Sequence, residues 1–287
     1  MLQAMGESNE YGRQRRRWLH FGAATLAAAA LPAGAGAGAG AADPPAADSA
    51  ATLRTFVGLR ARLDGQPVFT LARGTDKAIS GGEAVPLRGQ VIIQITRAID
   101  LGGGAWELPY VEGTLTTEAA TFRYRPELAN PLTGETHPVA PPAGFFLARL
   151  AMDRNGILSN HVETPGGTVI DYSGKVAAEA GLEGHPWATQ SLRIRIARPG
   201  ADVEEAFVTT TQMPSGTARG GFLPSDAMST SLRPKLPAAL GGGRVGSLVS
   251  SYYGRKYATL DALRRALDPG HAPLFAPLFE QWRSLLP

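Results

Sequence analysis

The residues best placed to do acid–base chemistry fall in two short stretches. In "ILSNHVE", residues 157–163, an extended chain puts His161 on one face with Ser159 and Glu163. A carboxylate beside an imidazole orients the ring, raises its pKa and suits it to proton transfer. The same spacing also describes an exposed His–Glu pair on a sheet surface. In "IDYSGK", residues 170–175, Asp171 and Tyr172 point to opposite faces, so one of them faces inward. A buried tyrosine needs a hydrogen-bond partner, and a buried aspartate needs a charge or donors. Tyr124, between Arg123 and Arg125, poses the same choice. His161, Glu163, Asp171, Tyr172 and Tyr124 are therefore the candidate catalytic groups. Trp106, Tyr110, Phe146, Tyr252 and Tyr253 are the aromatic residues expected to line a cavity for an apolar or aromatic molecule.

Other chemistries find little support. The chain has no cysteine, which removes thiol nucleophiles and thiolate metal sites. "GGGRVG", residues 241–246, fits Gly-x-Gly-x-x-Gly, but "RPKLPAAL" precedes it and a strand pattern follows. A dinucleotide site needs a strand before the glycines and a helix after them, so this is a loop. "SGK" at 173–175 lacks the glycine spacing of a phosphate loop. The five histidines, His20, His137, His161, His185 and His271, show no His-x-His or His-Glu-x-x-His spacing. No metal and no cofactor is expected.

Residues 1–42 differ from the rest. Arg13 and Arg15-Arg16-Arg17 precede Trp18-Leu19, an Ala-rich apolar run spans Phe21 to Leu31, and small residues follow. That order describes an export signal, and "RRRWLHFGA" resembles the twin-arginine type, read by the folded-protein export machinery. An ordinary secretory signal is the alternative. The apolar run is about half the ~20 residues that span a bilayer, so no transmembrane anchor is expected. Cleavage after Ala39, Ala41 or Ala42 would release a periplasmic protein. The segment holds four arginines and two glutamates. Of 28 basic and 25 acidic residues, 24 and 23 remain beyond it. That balance, without a basic stripe, disfavours nucleic acid.

Beyond an Ala/Gly/Pro-rich lead-in at 43–52, the dominant pattern has period two. "LRTFVGLRARL" places Leu53, Val57, Leu59 and Leu63 on one face, and "DG" at 64–65 turns it back on "PVFTLAR". Further strands are predicted at 90–99, 105–113, 120–125, 144–153, 157–163, 168–173, 190–197, 204–211 and 244–253. Short strands at this density, punctuated by Gly, Pro and Asn, predict a mainly β fold. The expectation is an antiparallel β-barrel or strongly curved sheet, lipocalin-like in outline, over residues 53–287. The end is helical, about 259–286, with Thr259 as N-cap, Leu260, Leu263 and Leu267 on one face, and a break at Pro277.

One stretch carries a family likeness. Residues 111–139, "VEGTLTTEAATFRYRPELANPLTGETHPV", resemble the core of a bacterial and fungal family known as the domain of unknown function numbered 1838. Asn130, Pro131, Thr133, Gly134 and Glu135 match its Asn-Pro, Thr-Gly-Glu turn. "RYRPELANPLTGE" is shorter than that family's segment, as in a divergent member. The resemblance implies no reaction, and the turn residues themselves predict a connector between two strands. The functional expectation is a cavity for a small hydrophobic or aromatic molecule, with cofactor-independent chemistry of the lyase or isomerase kind. The alternative is a non-catalytic periplasmic carrier of a lipid or aromatic compound.

Overall fold

In the computed structural model, residues 47–142, 146–163, 167–180, 186–241 and 244–286 are described. Residues 1–46, Phe145 and His185 lie outside them, as does the side chain of Phe146. The order is α1 (Ala47–Arg60), β1 (Val68–Ser80), β2 (Glu83–Thr96), β3 (Ile99–Gly102), β4 (Ala105–Thr117), β5 (Glu127–Ala129) and β6 (Thr136–Pro138). Then come β7 (Phe146–Met152), β8 (Ile157–Glu163), β9 (Val169–Ala180), β10 (Pro186–Ala197), β11 (Glu204–Pro214) and β12 (Ser225–Arg233). The chain ends with α2 (Ala238–Gly241), β13 (Ser247–Tyr257), α3 (Leu260–Ala266), a 3-10 turn at Ala272–Phe275 and α4 (Ala276–Leu285).

The long strands pair with their chain neighbours in the order β1, β2, β4, β7, β8, β9, β10, β11, β12, β13, and β13 returns to β1. Every pairing is antiparallel. This is a closed ten-stranded up-and-down barrel, an arrangement that leaves no main sheet edge unpaired. β3 folds back on β4 outside the closed ring.

The first predicted hairpin is corrected. Residues 53–60 are helical, and the lead-in read over 43–52 already turns into α1 at Ala47. Leu53, Phe56 and Val57 recur at helical spacing and are fully or nearly buried. With Leu59 they pack on Val68, Trp106, Leu108, Leu150, Met152 and Leu158, so α1 plugs one end of the barrel. The helix's last carbonyls are then taken by the barrel. Ser225 Oγ donates to Leu59 O at 2.6 Å, and Lys256 Nζ donates to Gly58 O and Ala61 O at 2.6 and 3.0 Å. These bonds satisfy carbonyls that a helix end leaves free. Burial, with Arg62 nearby, pushes the Lys256 ammonium down to about 7. A neutral amine still carries two N–H groups for the two carbonyls.

The terminal helices do not close an end. Leu263, Phe275, Leu278, Phe279 and Trp282 cover the outer face of β1, β2 and β4, burying Phe69, Leu71, Ile93, Ile95 and Val111. Thr259 caps α3 as predicted, its hydroxyl accepting from Ala262 N at 3.2 Å. Pro277 stands in the first turn of α4, where its missing N–H costs nothing.

"NPLTGE" is the turn of the β5–β6 hairpin. Gly134 N donates to Asn130 O at 2.8 Å with Gly134 at φ 76°, a conformation glycine supplies without strain. Asn130 Nδ2 donates to Leu240 O at 2.8 Å. Leu132 packs with Ala78, Leu87, Leu236 and Leu248, covering part of the end opposite the plug.

Candidate functional site

Inside the barrel lies a cavity of about 530 Å³. Because side chains alternate along a strand, the inward set of each strand can be read residue by residue. β1 contributes Thr70, Ala72 and Asp76; β2 contributes Arg88, Gln90, Ile92 and Gln94; β4 contributes Tyr110, Glu112 and Thr114. Across from them β9, β10 and β11 supply Ile170, Leu192, Ile194, Ile196, Ala206 and Val208. A charged and polar wall therefore faces one whose apolar stretch is flanked by Tyr172, Gln190, Thr210 and Gln212.

Two polar clusters occupy the first wall. The deeper one lies under the plug. Arg60, the last residue of α1, donates through Nη2 to Gln94 Oε1 at 3.4 Å, and Gln94 Nε2 donates to Glu112 Oε2 at 3.2 Å. Thr96 and Thr114 add hydroxyl bonds, each 3.4 Å, to Gln94 and Glu112. The Arg60 guanidinium stands 5.8 Å from the Tyr110 ring centre, and the Tyr110 and Tyr172 side chains share a hydrogen bond. Burial dominates the electrostatics here. It lowers the pKa of Arg60, raises that of Glu112 against the pull of the Gln94 bond and Arg60, and raises Tyr110 well above its ordinary value. Tyr172 is pushed up to about 12, again chiefly by burial. Glu112 fronts the cavity and is only half-buried by exposure, yet protein surrounds its carboxyl and thins its hydration.

A raised carboxyl pKa has a stability consequence. Folding favours the protonated form of Glu112, so its contribution is fully present below the unfolded-state pKa and is lost as pH rises through the folded one. Glu112→Gln keeps the shape and removes that loss. The variant should be more stable than the parent at pH 7 to 8 and gain little at pH 4, measured by urea unfolding at the two pH values. An equal gain at both would show that ionisation of Glu112 is not the cause.

The second cluster centres on Asp76, which is 1% exposed. Its carboxylate accepts from Arg88 Nε at 2.7 Å, Gln90 Nε2 at 3.1 Å and the Tyr252 hydroxyl at 3.0 Å. That hydroxyl also lies 2.7 Å from Gln90 Oε1. Burial, and then Asp76, raises the Tyr252 pKa, which keeps the phenol a donor. The ring lies across Gly74, where a Cβ would come within 2.1 Å of Tyr252 Cδ1.

The sequence-derived candidates divide. Tyr110, Tyr172 and Tyr252 line the cavity. Trp106 belongs to the packing around the plug, and Tyr253 points outward, its hydroxyl 2.5 Å from Asp226 Oδ2. Phe146 opens β7, opposite Glu112 in register. His161, Glu163 and Asp171 stand on the outer face. His161 Nδ1 lies 2.7 Å from Asp171 Oδ1, its register partner, and Arg195 approaches the same carboxylate at 3.9 Å. The His161 and Asp171 side chains are 65% and 41% exposed, so this is a surface pair worth little to stability. Tyr124 is not on a barrel strand. Its hydroxyl donates to Val139 O at 2.9 Å, and its ring packs with the helical layer outside the barrel. Of the five catalytic candidates, only Tyr172 reaches the interior.

No known protein family, curated protein or solved structure matches the chain. The interior geometry therefore stands as the principal guide to function. Among the described residues no group of His, Asp and Glu gathers to hold a metal ion, and no helix is long and apolar enough to cross a membrane.

Arg60, Asp76, Arg88, Glu112, Gln190, Gln212 and Lys256 went unrecognised in the sequence. The one sequence signal for the polar interior is the alternation in "QVIIQIT", residues 90–96 on β2. Gln90, Ile92 and Gln94 resemble a solvated face because Val91, Ile93 and Ile95 form the more apolar one. The helical layer covers that apolar face, so the polar face is the interior.

Proposed function

We propose that the barrel is a receptacle for a small amphipathic molecule. The observation that carries this reading is the division of the cavity wall, with Ile170, Leu192, Ile194, Ile196 and Val208 facing a wall that holds Arg60, Glu112, Asp76 and Arg88. Its volume, about 530 Å³, falls within the ~300–1,000 Å³ of small-molecule sites. An apolar body packs on β9–β11 while a polar end meets the clusters opposite. Entry is from the end away from α1, because the plug is packed as tightly as a core.

The neutral dye N-phenyl-1-naphthylamine should brighten on entering such a cavity. Ile194→Trp, which fills the apolar wall, should weaken dye binding by about 5- to 150-fold, the equivalent of the ~1–3 kcal/mol that overpacking costs, while unfolding stays cooperative. Dye binding unaltered by Ile194→Trp would reject the cavity as the binding place.

A second reading is favoured by one observation. Glu112, with its raised pKa, and Tyr172 sit in the same deep cluster. A carboxyl shifted toward working pH moves protons well, and this would make the barrel a cofactor-independent lyase or isomerase with Glu112 as the proton-transfer group and Tyr172 polarising the substrate. Native mass spectrometry of protein purified from its own cells separates the readings. A bound molecule returned unchanged after incubation assigns a carrier; conversion to an isomer or a fragment assigns the enzyme. In either case we take residues 1–42 as a twin-arginine-type export signal and the periplasm as the place of work. N-terminal sequencing of the mature protein tests this by finding a start after Ala39, Ala41 or Ala42.

A further inference from the structure

Resting on the receptacle reading, we infer that the polar end of the cavity's ligand is a carboxylate, received by Arg60 beneath the plug helix.

Arg88 is paired with Asp76 at 2.7 Å and Arg233 with Glu204 at 3.4 Å, while Lys256 is spent on the helix carbonyls. Arg60 has no carboxylate within ion-pair distance among the described residues. A guanidinium carries five N–H donors, yet among the described residues its one hydrogen bond is the 3.4 Å contact to Gln94, and its buried Nε has no partner there. Gln94 stands between Arg60 and Glu112, accepting from one and donating to the other, and so keeps the nearest acid off the guanidinium. Glu112 attracts Arg60 only across Gln94, and a cavity cation without a direct ion pair is stabilised by an anion that a ligand delivers.

The surroundings narrow the anion to a carboxylate. The Tyr110 ring supports the guanidinium from one side, the arrangement in which a planar fork is held for a planar, two-oxygen partner. One open cation matches one negative charge. Leu192 and Ile194 follow Gln190 along the inward face of β10, so the charge is carried on a body that is apolar farther into the cavity. Two further acceptors wait at the same end. Gln190 and Gln212 are 3% and 6% exposed, line the cavity, and each leaves Oε1 without a protein partner. They suit a donor group, such as a hydroxyl near the carboxylate. Ala188, one inward position before Gln190 on β10, packs on α1, which places Gln190 at the plugged end where Arg60 emerges.

The test is a headgroup series on one tail. Octanoate, octanol and octylamine compete with N-phenyl-1-naphthylamine at pH 8. Octanoate should displace the dye at a concentration at least roughly tenfold below octanol, and octylamine should be the weakest. Arg60→Met should weaken octanoate by roughly 10- to 100-fold, the range for a lost charge-assisted hydrogen bond, and leave octanol unchanged. Arg60→Lys should fall between, since an ammonium keeps the charge and loses the fork. Glu112→Gln leaves the plug untouched and should tighten octanoate by removing the nearest competing negative charge. Octanol or octylamine matching octanoate, or octanoate indifferent to both Arg60→Met and Glu112→Gln, overturns the carboxylate assignment while dye binding still upholds the receptacle. A dye that never binds overturns both.

Discussion

Phe56→Ala should cost the protein about 3–5 kcal/mol of unfolding free energy, the usual loss when a buried phenylalanine is truncated in a core that cannot collapse. Phe56 is fully buried in the C-terminal half of α1, and the cluster it belongs to draws on four strands through Val68, Trp106, Leu108, Met152 and Leu158. Those strands are fixed in the ring by their pairings, so they cannot move in to fill the gap. Arg54→Ala, on the exposed side of the same helix, should change stability by less than about 0.5 kcal/mol. Urea unfolding of the two variants checks this directly. A loss below about 1 kcal/mol for Phe56→Ala would show that α1 is not seated in the barrel. The plug matters for function as well as stability, because it carries Arg60 into the cavity.

That helix is also where the sequence was hardest to read. Leu53, Val57, Leu59 and Leu63 fit a strand, while Leu53, Phe56, Val57 and Arg60 fit a helix, and a run this short satisfies both periods. Only the barrel end, which needs a plug of helical width, decides between them. The strands themselves were legible from short alternating runs between turn residues: "ILSNHVE" is β8 over the same residues. "SDAMSTSLR" was missed because its inward positions are Ser, Ala and Arg233 and its outward ones include Met228 and Leu232, leaving no apolar stripe. Alternation also separates Asp171 from Tyr172 without saying which is inside. Closure of the ring settles it, placing Tyr172 in the cavity and leaving Asp171 to His161 and Arg195. The turn at Asn130–Glu135 was legible because its chemistry is local, and it is a connector, as its residues predict.

The other large effect expected is at Asp76. Asp76→Ala should destabilise the protein by about 3 kcal/mol, near the lower end of the range for breaking a buried ion pair, since the Arg88 side chain retains 31% exposure toward the cavity. The loss reflects what is stranded. Arg88 loses its carboxylate, Gln90 loses an acceptor for its Nε2, and only the Tyr252 hydroxyl keeps an alternative, at Gln90 Oε1. Replacing both members, Asp76→Leu with Arg88→Met, should recover most of the stability, because an apolar pair avoids the unpaired charge. Guanidinium unfolding of the single and double variants measures the coupling, and a double variant no better than Asp76→Ala would mean the carboxylate's other bonds dominate. The same variant also separates scaffold from site. If Asp76 holds the wall and Arg60 receives the ligand, Asp76→Ala lowers stability while octanoate binding does not fall, because freeing Arg88 adds a second unpaired cation to the cavity. A parallel fall in stability and octanoate affinity would instead place the ligand's polar end at Asp76, Gln90 and Tyr252.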